Sequence, residues 1–275
     1  MISMQTNVTS LSAQRNLAQT QNAMSQNISR LSSGNRINRA GDDAAGLAIT
    51  SRLSAQIRGL EQAERNSNDA ISMIQTAEGG LSEVNNLLTR MRELAVQSAN
   101  GGTLSTEERG HLDDEFQALS SEIDRIVNVT DYNGQALLDG SLSGGVDFQV
   151  GTFNTADDRI SLTLGASDTT TLGVDTLDLT SQANAQTAID SLDTAIDSVS
   201  GLRGDLGAVQ NRLNSTLSNL GNMHENLSAA NSRIMDVDVA KETASMTKNQ
   251  ILSQAGVSVL AQANQMPQMA LSLLG

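Results

Sequence analysis

Apolar residues recur at spacings of three and four over most of this chain, and that spacing sets out its elements. Leu53, Ile57, Leu60, Ile71, Ile74, Ala77, Leu81, Val84, Leu88, Met91 and Leu94 fall on one stripe, which predicts a continuous helix from about Asp43 to Ala99. At ~1.5 Å per residue it is on the order of 85 Å long, and other helices must cover its stripe. Gly79-Gly80 sits inside it at about 1 kcal/mol per glycine relative to alanine, so the pair marks either close packing or a weak spot. Asn100-Gly101-Gly102 supplies a stop. Ser105-Thr106-Glu107-Glu108 then has capping-box spacing and opens a second helix to about Val129 through Phe116, Leu119, Ile123 and Ile126.

After the turn signal Asp131-Tyr132-Asn133-Gly134 the period changes to two. Val146, Phe148 and Val150 alternate with Asp147 and Gln149, and Ile160, Leu162 and Leu164 with Ser161 and Thr163. Residues 137–165 therefore read as a small β-hairpin region, followed by an Asp/Thr/Gly-rich surface connection from Gly165 to Gln182. From about Ala185 a near-heptad stripe returns: Ile189, Leu192, Ile196, Val199, Leu202, Leu206, Val209, Leu213, Leu217, Leu220, Leu227 and Ile234. Its seam suits the long N-terminal helix in left-handed coiled-coil fashion.

The ends form a second tier. Leu11, Leu17, Met24, Ile28 and Leu31 mark an N-terminal helix rich in Gln, Asn, Ser and Thr. Ile251, Leu252, Ala255, Val259, Leu260, Ala263 and Met266 mark a C-terminal one, with Leu271 and Leu274 beyond. Each is marginal alone, so the first segment is expected to pair with the last and to leave an apolar-flecked outer surface suited to assembly. The fold class expected is mainly α: a long antiparallel helical coiled-coil bundle with a small β-hairpin region and the terminal helices paired as an inner domain.

Composition narrows the function. Aromatics are 1% of 275 residues and proline occurs once, which excludes a thick aromatic core and permits very long helices. With no cysteine there is no disulfide framework and no thiolate metal site. The net charge is −14, unevenly spread. Arg15, Arg30, Arg36 and Arg39 are the only charges up to Gly41, all acidic residues lie between Asp42 and Glu242, and Lys248 alone is charged after that. An acidic body repels phosphate backbones, so nucleic-acid binding is not expected. No basic-then-apolar leader is apparent and no apolar run is long enough to span a bilayer, so neither a conventional signal peptide nor membrane insertion is expected.

Candidate chemistry is sparse. His224-Glu225 begins an HExxH pattern, but Ser228 stands where the second zinc ligand is required. His111-Leu112-Asp113-Asp114-Glu115 reads as acid stabilising a helix start. Gly41-Asp42-Asp43-Ala44-Ala45-Gly46 lacks the lysine of a phosphate loop and reads as a helix N-cap by Asp42 or Asp43. No catalytic set, metal or cofactor is expected, and the chain is expected not to be an enzyme.

Three groups of residues carry a resemblance. Arg30-Leu31-Ser32-Ser33-Gly34-Asn35-Arg36-Ile37-Asn38-Arg39-Ala40-Gly41-Asp42-Asp43-Ala44-Ala45-Gly46 and Arg92-Glu93-Leu94-Ala95-Val96-Gln97-Ser98-Ala99-Asn100 lie in the first half. Leu206-Gly207-Ala208-Val209-Gln210-Asn211-Arg212-Leu213, Gln262-Ala263-Asn264-Gln265-Met266-Pro267-Gln268 and Leu271-Ser272-Leu273-Leu274 lie in the second. In that order the chain resembles bacterial flagellins over about 1–140 and 183–275, with only a short middle region where many of them carry large variable domains. The resemblance implies an extracellular subunit of the flagellar filament, used for swimming motility. Residues 1–42 and 236–275 would form the inner domain, and 43–235 the outer shaft, with the hairpin region at about 137–182. It implies polymerisation with many copies through the terminal helices, at Leu11, Leu17, Met24, Ile28, Leu31, Ile251, Leu252, Val259, Leu260, Met266, Leu271 and Leu274. It implies export through the flagellar type III apparatus without a cleavable signal, a chaperone on the C-terminal segment, a filament cap protein and hook-associated junction proteins. It also implies recognition of the monomer by animal Toll-like receptor 5 at Arg90, Leu94 and Glu115. A hook–filament junction protein of the same superfamily is the alternative.

Overall fold

The computed structural model describes residues 6–272, with side-chain burial given as far as residue 265. Its helices are α1 (Val8–Ser33), α2 (Ala44–Ser98), α3 (Thr106–Val129), a short α4 (Thr169–Leu172), α5 (Gln182–Met235) and α6 (Val239–Ser272). The strands are β1 (Asp131–Tyr132), β2 (Gln135–Ala136), β3 (Val146–Gln149) and β4 (Arg159–Leu162). Two compact units emerge, residues 58–224 and residues 1–57 with 225–275.

In the 58–224 unit, one row of buried positions on α2 runs Leu60, Ala63, Ser67, Ala70, Ile74, Ala77, Leu81, Val84, Leu88, Met91, Ala95 and Ser98, with Met73 and Leu94 buried beside it. Spacings of three and four alternate without a break, as a coiled-coil seam requires. Ala185, Ala188, Leu192, Ala195, Val199, Leu206, Leu213 and Leu220 form the matching seam of α5. Polar side-chain pairs across the two helices fix the direction. Arg92 meets Asp193, Glu78 meets Arg203 and Glu61 meets His224, so position on α5 rises as position on α2 falls and the two helices are antiparallel. Phe116, Ile123 and Val127 of α3 close the third side of the same core. The capping box of α3 forms as its spacing indicates: Ser105 N–H donates to Glu108 Oε2 at 2.7 Å and Glu108 N–H to Ser105 Oγ at 3.3 Å.

Asn133 (φ 54°) and Gly134 (φ 79°) both take left-handed backbone between paired Tyr132 and Gln135, the demand of a two-residue primed hairpin turn. The alternation further on is real: β3 and β4 pair antiparallel with Phe148 opposite Ile160, and Ile160 and Leu162 face the core.

The expected surface connection from Gly165 to Gln182 is corrected. Ser167, Thr169, Leu172, Val174 and Leu179 within it are buried, and polar side chains of the long helices hold its backbone. Asp124 accepts from Thr169 N–H at 3.0 Å and from its hydroxyl at 2.9 Å. Asp113 accepts from Leu179 N–H at 2.8 Å, and Ser98 donates to Leu179 O at 2.7 Å. A few aliphatics in a polar stretch suffice to draw it inward once its backbone groups have partners.

In the other unit, α1 pairs antiparallel with α6. Asn7 caps α1 through Ser10 N–H and also donates to Ala263 O at 2.8 Å. At the far end Gly34 (φ 73°) terminates α1 with its N–H on Arg30 O. The segment between α1 and α2 lies against the turn between α5 and α6: Arg36 N–H donates to Met235 O, Val237 N–H to Gly34 O, and the Arg36 guanidinium to Ile234 O at 2.7 Å. The choice between Asp42 and Asp43 as cap resolves into two roles. Asp43 accepts from Gly46 N–H at 2.8 Å and caps α2, while Asp42 accepts from Asn38 and Arg39 N–H, both at 3.0 Å, and holds the turn before it. Those two backbone donors, Asn38 foremost, lower the Asp42 pKa below the usual carboxylate range.

Candidate assembly surface

The α1–α6 pair is built inside out relative to the bundle. The α1 positions turned toward α6 are Ser10, Ala13, Leu17, Thr20, Met24, Asn27 and Leu31, and those of α6 are Glu242, Met246, Asn249, Ser253, Gly256, Leu260 and Ala263. Both rows keep heptad spacing, yet most of these side chains are small or polar. An added Cβ at Gly256 would stand 3.3 Å from Leu17 Cδ1, so the seam is tight there. Asn27, 7% exposed, orients its carboxamide to donate to Ala23 O at 2.8 Å and Glu242 Oε1 at 3.1 Å and to accept from Met246 N–H at 3.0 Å. Arg30 reaches the same Glu242 carboxylate at 3.8 Å. A buried polar group of this kind tolerates few alternative registers, because a slip leaves it unpaired.

The large aliphatic side chains consequently divide. Leu17, Met24, Leu31 and Leu260 are half-buried in the seam. Leu11 (50% exposed), Ile28 (49%), Ile251 (60%), Leu252 (47%) and Val259 (52%) face away from it. Val8, Leu11 and Ala18 also line a hollow of about 520 Å³ with Gln14 and Arg15. Met266, Leu271 and Leu274 lie outside the residues whose side chains are described.

The second candidate surface is on the other unit. Arg90 donates through Nε and Nη2 to Glu115 Oε1 at 3.0 and 2.8 Å, and through Nη1 to Glu93 Oε2 at 3.0 Å. The hydrogen bond that Arg90 donates to Glu115, then that to Glu93, raises the Arg90 pKa above its already high ordinary value. Leu94 is 1% exposed and belongs to the core, as its place in the α2 stripe indicates. Only Arg90 and Glu115 of the three present themselves to solvent. His224 Nε2 stands 3.5 Å from Glu61 Oε1, an exposed pair between helices. Among the described residues no group of three or more metal-ligating side chains gathers, and no helix is long and apolar enough to cross a membrane.

Residues 4–143 match the family model "Bacterial flagellin N-terminal helical region" and residues 189–274 match "Bacterial flagellin C-terminal helical region". The flagellin of Halalkalibacterium halodurans is 50% identical over 270 residues, covering 98% of both chains. The flagellar filament 33 kDa core protein of Treponema phagedenis is 43% identical over 283 residues, again covering 98% of both. The chain belongs to the bacterial flagellin family. A crystal structure of Bacillus cereus flagellin superposes with a TM-score of 0.50 at 35% identity, covering 57% of this chain and 88% of that one. Between the two flagellin regions lie β3, β4 and α4. Both exposed aliphatic rows fall inside matched flagellin segments. Asn7, Asn27, Arg36 and Glu242, which hold the flagellin termini together, escape a reading that counts only aliphatic residues. A heptad count that admitted polar positions finds Asn27 and Glu242 directly.

Proposed function

We propose that the chain is the repeating structural subunit of a flagellar filament and that it joins neighbouring copies through the outward faces of α1 and α6. Family membership makes it a structural protein that self-polymerises. The assignment of the contacts rests on one observation: Leu11, Ile28, Ile251, Leu252 and Val259 stand about half exposed on helices whose own seam is mostly small or polar. Five large aliphatics left in water are a liability for a lone subunit and an interface in a polymer. In this reading residues 1–42 and 236–275 build the inner tube and residues 43–235 the surrounding shaft. Met266, Leu271 and Leu274 extend the inner contact. Ordering of the termini is coupled to assembly, and two packings of the same interface set the filament's supercoil. No catalytic step is involved.

The same apolar ends call for a chaperone over the C-terminal segment before export through the type III apparatus. A cap protein at the growing end and hook-associated proteins at the base complete the set of partners. For the released monomer, the exposed Arg90–Glu115 pair is the surface offered to Toll-like receptor 5, with Leu94 packing beneath it. Reversing the charge at Arg90 should abolish receptor signalling by the monomer, and unchanged signalling would refute that part. The alternative, a junction protein that caps rather than repeats, does not grow without limit on seeds. Removing residues 256–275 tests the main reading. The variant should keep the 58–224 unit folded by circular dichroism and form no filaments in seeded polymerisation; filaments from it would overturn the assignment.

A further inference from the structure

Two Asn-Gly dipeptides stand in opposite backbone settings, and we propose that Asn100 is a site of spontaneous deamidation while Asn133 is protected. Asn-Gly is the pair most open to this reaction, because glycine leaves the following backbone nitrogen unshielded. That nitrogen attacks the side-chain carbonyl carbon. A bond forms between Gly101 N and Asn100 Cγ, the Cγ–Nδ2 bond breaks, and ammonia leaves with the proton given up by Gly101. Water then opens the five-membered imide at either carbonyl and leaves aspartate or isoaspartate at position 100.

Three features favour the reaction at Asn100. The residue is exposed and lies beyond the end of α2, and neither it nor Gly101 has a positive φ. Gly102 N–H donates to Asn100 Oδ1 at 3.3 Å, an Asx-turn contact that polarises the side-chain carbonyl as an oxyanion site does. The Arg109 guanidinium donates to Ser98 O at 3.0 Å and Asn100 O at 2.9 Å. It therefore places a positive charge beside the group that becomes negative.

Asn133 has the same glycine after it and none of this freedom. Its φ of 54° and the 79° of Gly134 are set by the pairing of Tyr132 with Gln135. Imide closure requires rotation about the Asn133 Cα–C bond out of the left-handed well, which breaks that pairing. Asn66, Asn214 and Asn231 precede serines inside α2 and α5, where the nucleophilic N–H is held in the helix. Each event at Asn100 adds one negative charge to a chain already at −14. The isoaspartate product also lengthens the backbone between α2 and α3, pulling Asn100 O from Arg109.

The test is to hold the purified full-length chain at mildly alkaline pH for days, digest with trypsin, and follow aspartate and isoaspartate by mass spectrometry and isoaspartyl methyltransferase labelling. The tryptic peptide 93–109 carries Asn100 and the peptide 126–159 carries Asn133. Conversion at Asn100 should exceed that at Asn133 by about tenfold or more. The gap should close in concentrated urea, and Gly101→Ala should slow the first site in the folded chain. Equal rates in the folded chain, a gap that persists in urea, or a Gly101→Ala variant that converts as fast as the parent would each overturn the proposal.

Discussion

Gly79 and Gly80 are neighbours in sequence, both interior to α2, and the structure gives them opposite responses to an added methyl group. Alanine at either position gains about 0.8–1.0 kcal/mol of helix propensity. At Gly79 an added Cβ meets nothing within 4 Å, so the gain is unopposed. At Gly80 the same atom lands 2.8 Å from Leu138 Cδ1, 2.9 Å from Thr130 Oγ1 and 3.0 Å from Thr130 Cγ2. Neither neighbour can withdraw easily. Leu138 is fully buried, and the Thr130 hydroxyl donates to Ile126 O at 2.7 Å. Overpacking of this kind costs about 1–3 kcal/mol, which leaves Gly80→Ala between roughly neutral and about 2 kcal/mol destabilised. Because propensity cancels between the two variants, the difference in stability reports the packing cost alone. In a domain of this size about 1 kcal/mol shifts the melting temperature by roughly 2–4 °C. Thermal melting by circular dichroism should place Gly79→Ala above the parent and Gly80→Ala clearly below Gly79→Ala. A Gly80→Ala chain that melts at or above Gly79→Ala would refute the close approach of the 130–138 segment to α2.

Asp124→Ala removes the acceptor of both the N–H and the hydroxyl of Thr169, a residue 3% exposed. It should cost about 1–3 kcal/mol in urea unfolding, with Asp124→Asn recovering part of the loss. Acid sensitivity follows from the capping box. Hydrogen bonding from the Ser105 backbone, then from its hydroxyl, lowers the Glu108 pKa, so its contribution is complete above the ordinary glutamate range and lost as pH falls through the depressed value. Glu108→Gln should therefore be less stable than the parent at neutral pH and lose less on acidification; urea midpoints at neutral and acid pH check this. Asn27→Leu leaves the Glu242 carboxylate without its carboxamide partner and relaxes the register of α1 on α6. Electron microscopy of its polymers should show heterogeneous or absent filaments, whereas uniform parental filaments would count against a register role.

The bundle is legible in the sequence because its seams are long and aliphatic. Once Leu60 to Ala95 repeats every three and four residues, partner helices of the same period are the remaining way to bury it. The alternation around Phe148 and Ile160 likewise marks β3 and β4. Two features resist such reading. The stretch from Gly165 to Gln182 is polar enough to look solvent-facing, and its burial depends on acceptors such as Asp113 and Asp124 that lie far away in sequence. The terminal helices are legible as helices but not in their facing. Their seam mixes Leu17, Met24, Leu31 and Leu260 with Ser10, Thr20, Asn27, Ser253 and Gly256, so the aliphatic residues divide between it and the outer surface at Leu11, Ile28, Ile251 and Val259. An amphipathic stripe identifies the face that is buried last, and here that burial awaits other copies of the chain. Leu94 shows the converse, since its place in the helical stripe already put it in the core.

Where those outward aliphatics go decides how the subunits join. Electron cryomicroscopy of filaments grown from the purified chain, at a resolution that shows side chains, measures this directly. The expected result is that Leu11, Ile28, Ile251, Leu252 and Val259 are buried against α1 and α6 of neighbouring copies while the polar seam within each copy keeps the Asn27–Glu242 contact. Filaments in which those five side chains remain in water, with subunits joined only through residues 58–224, would contradict it.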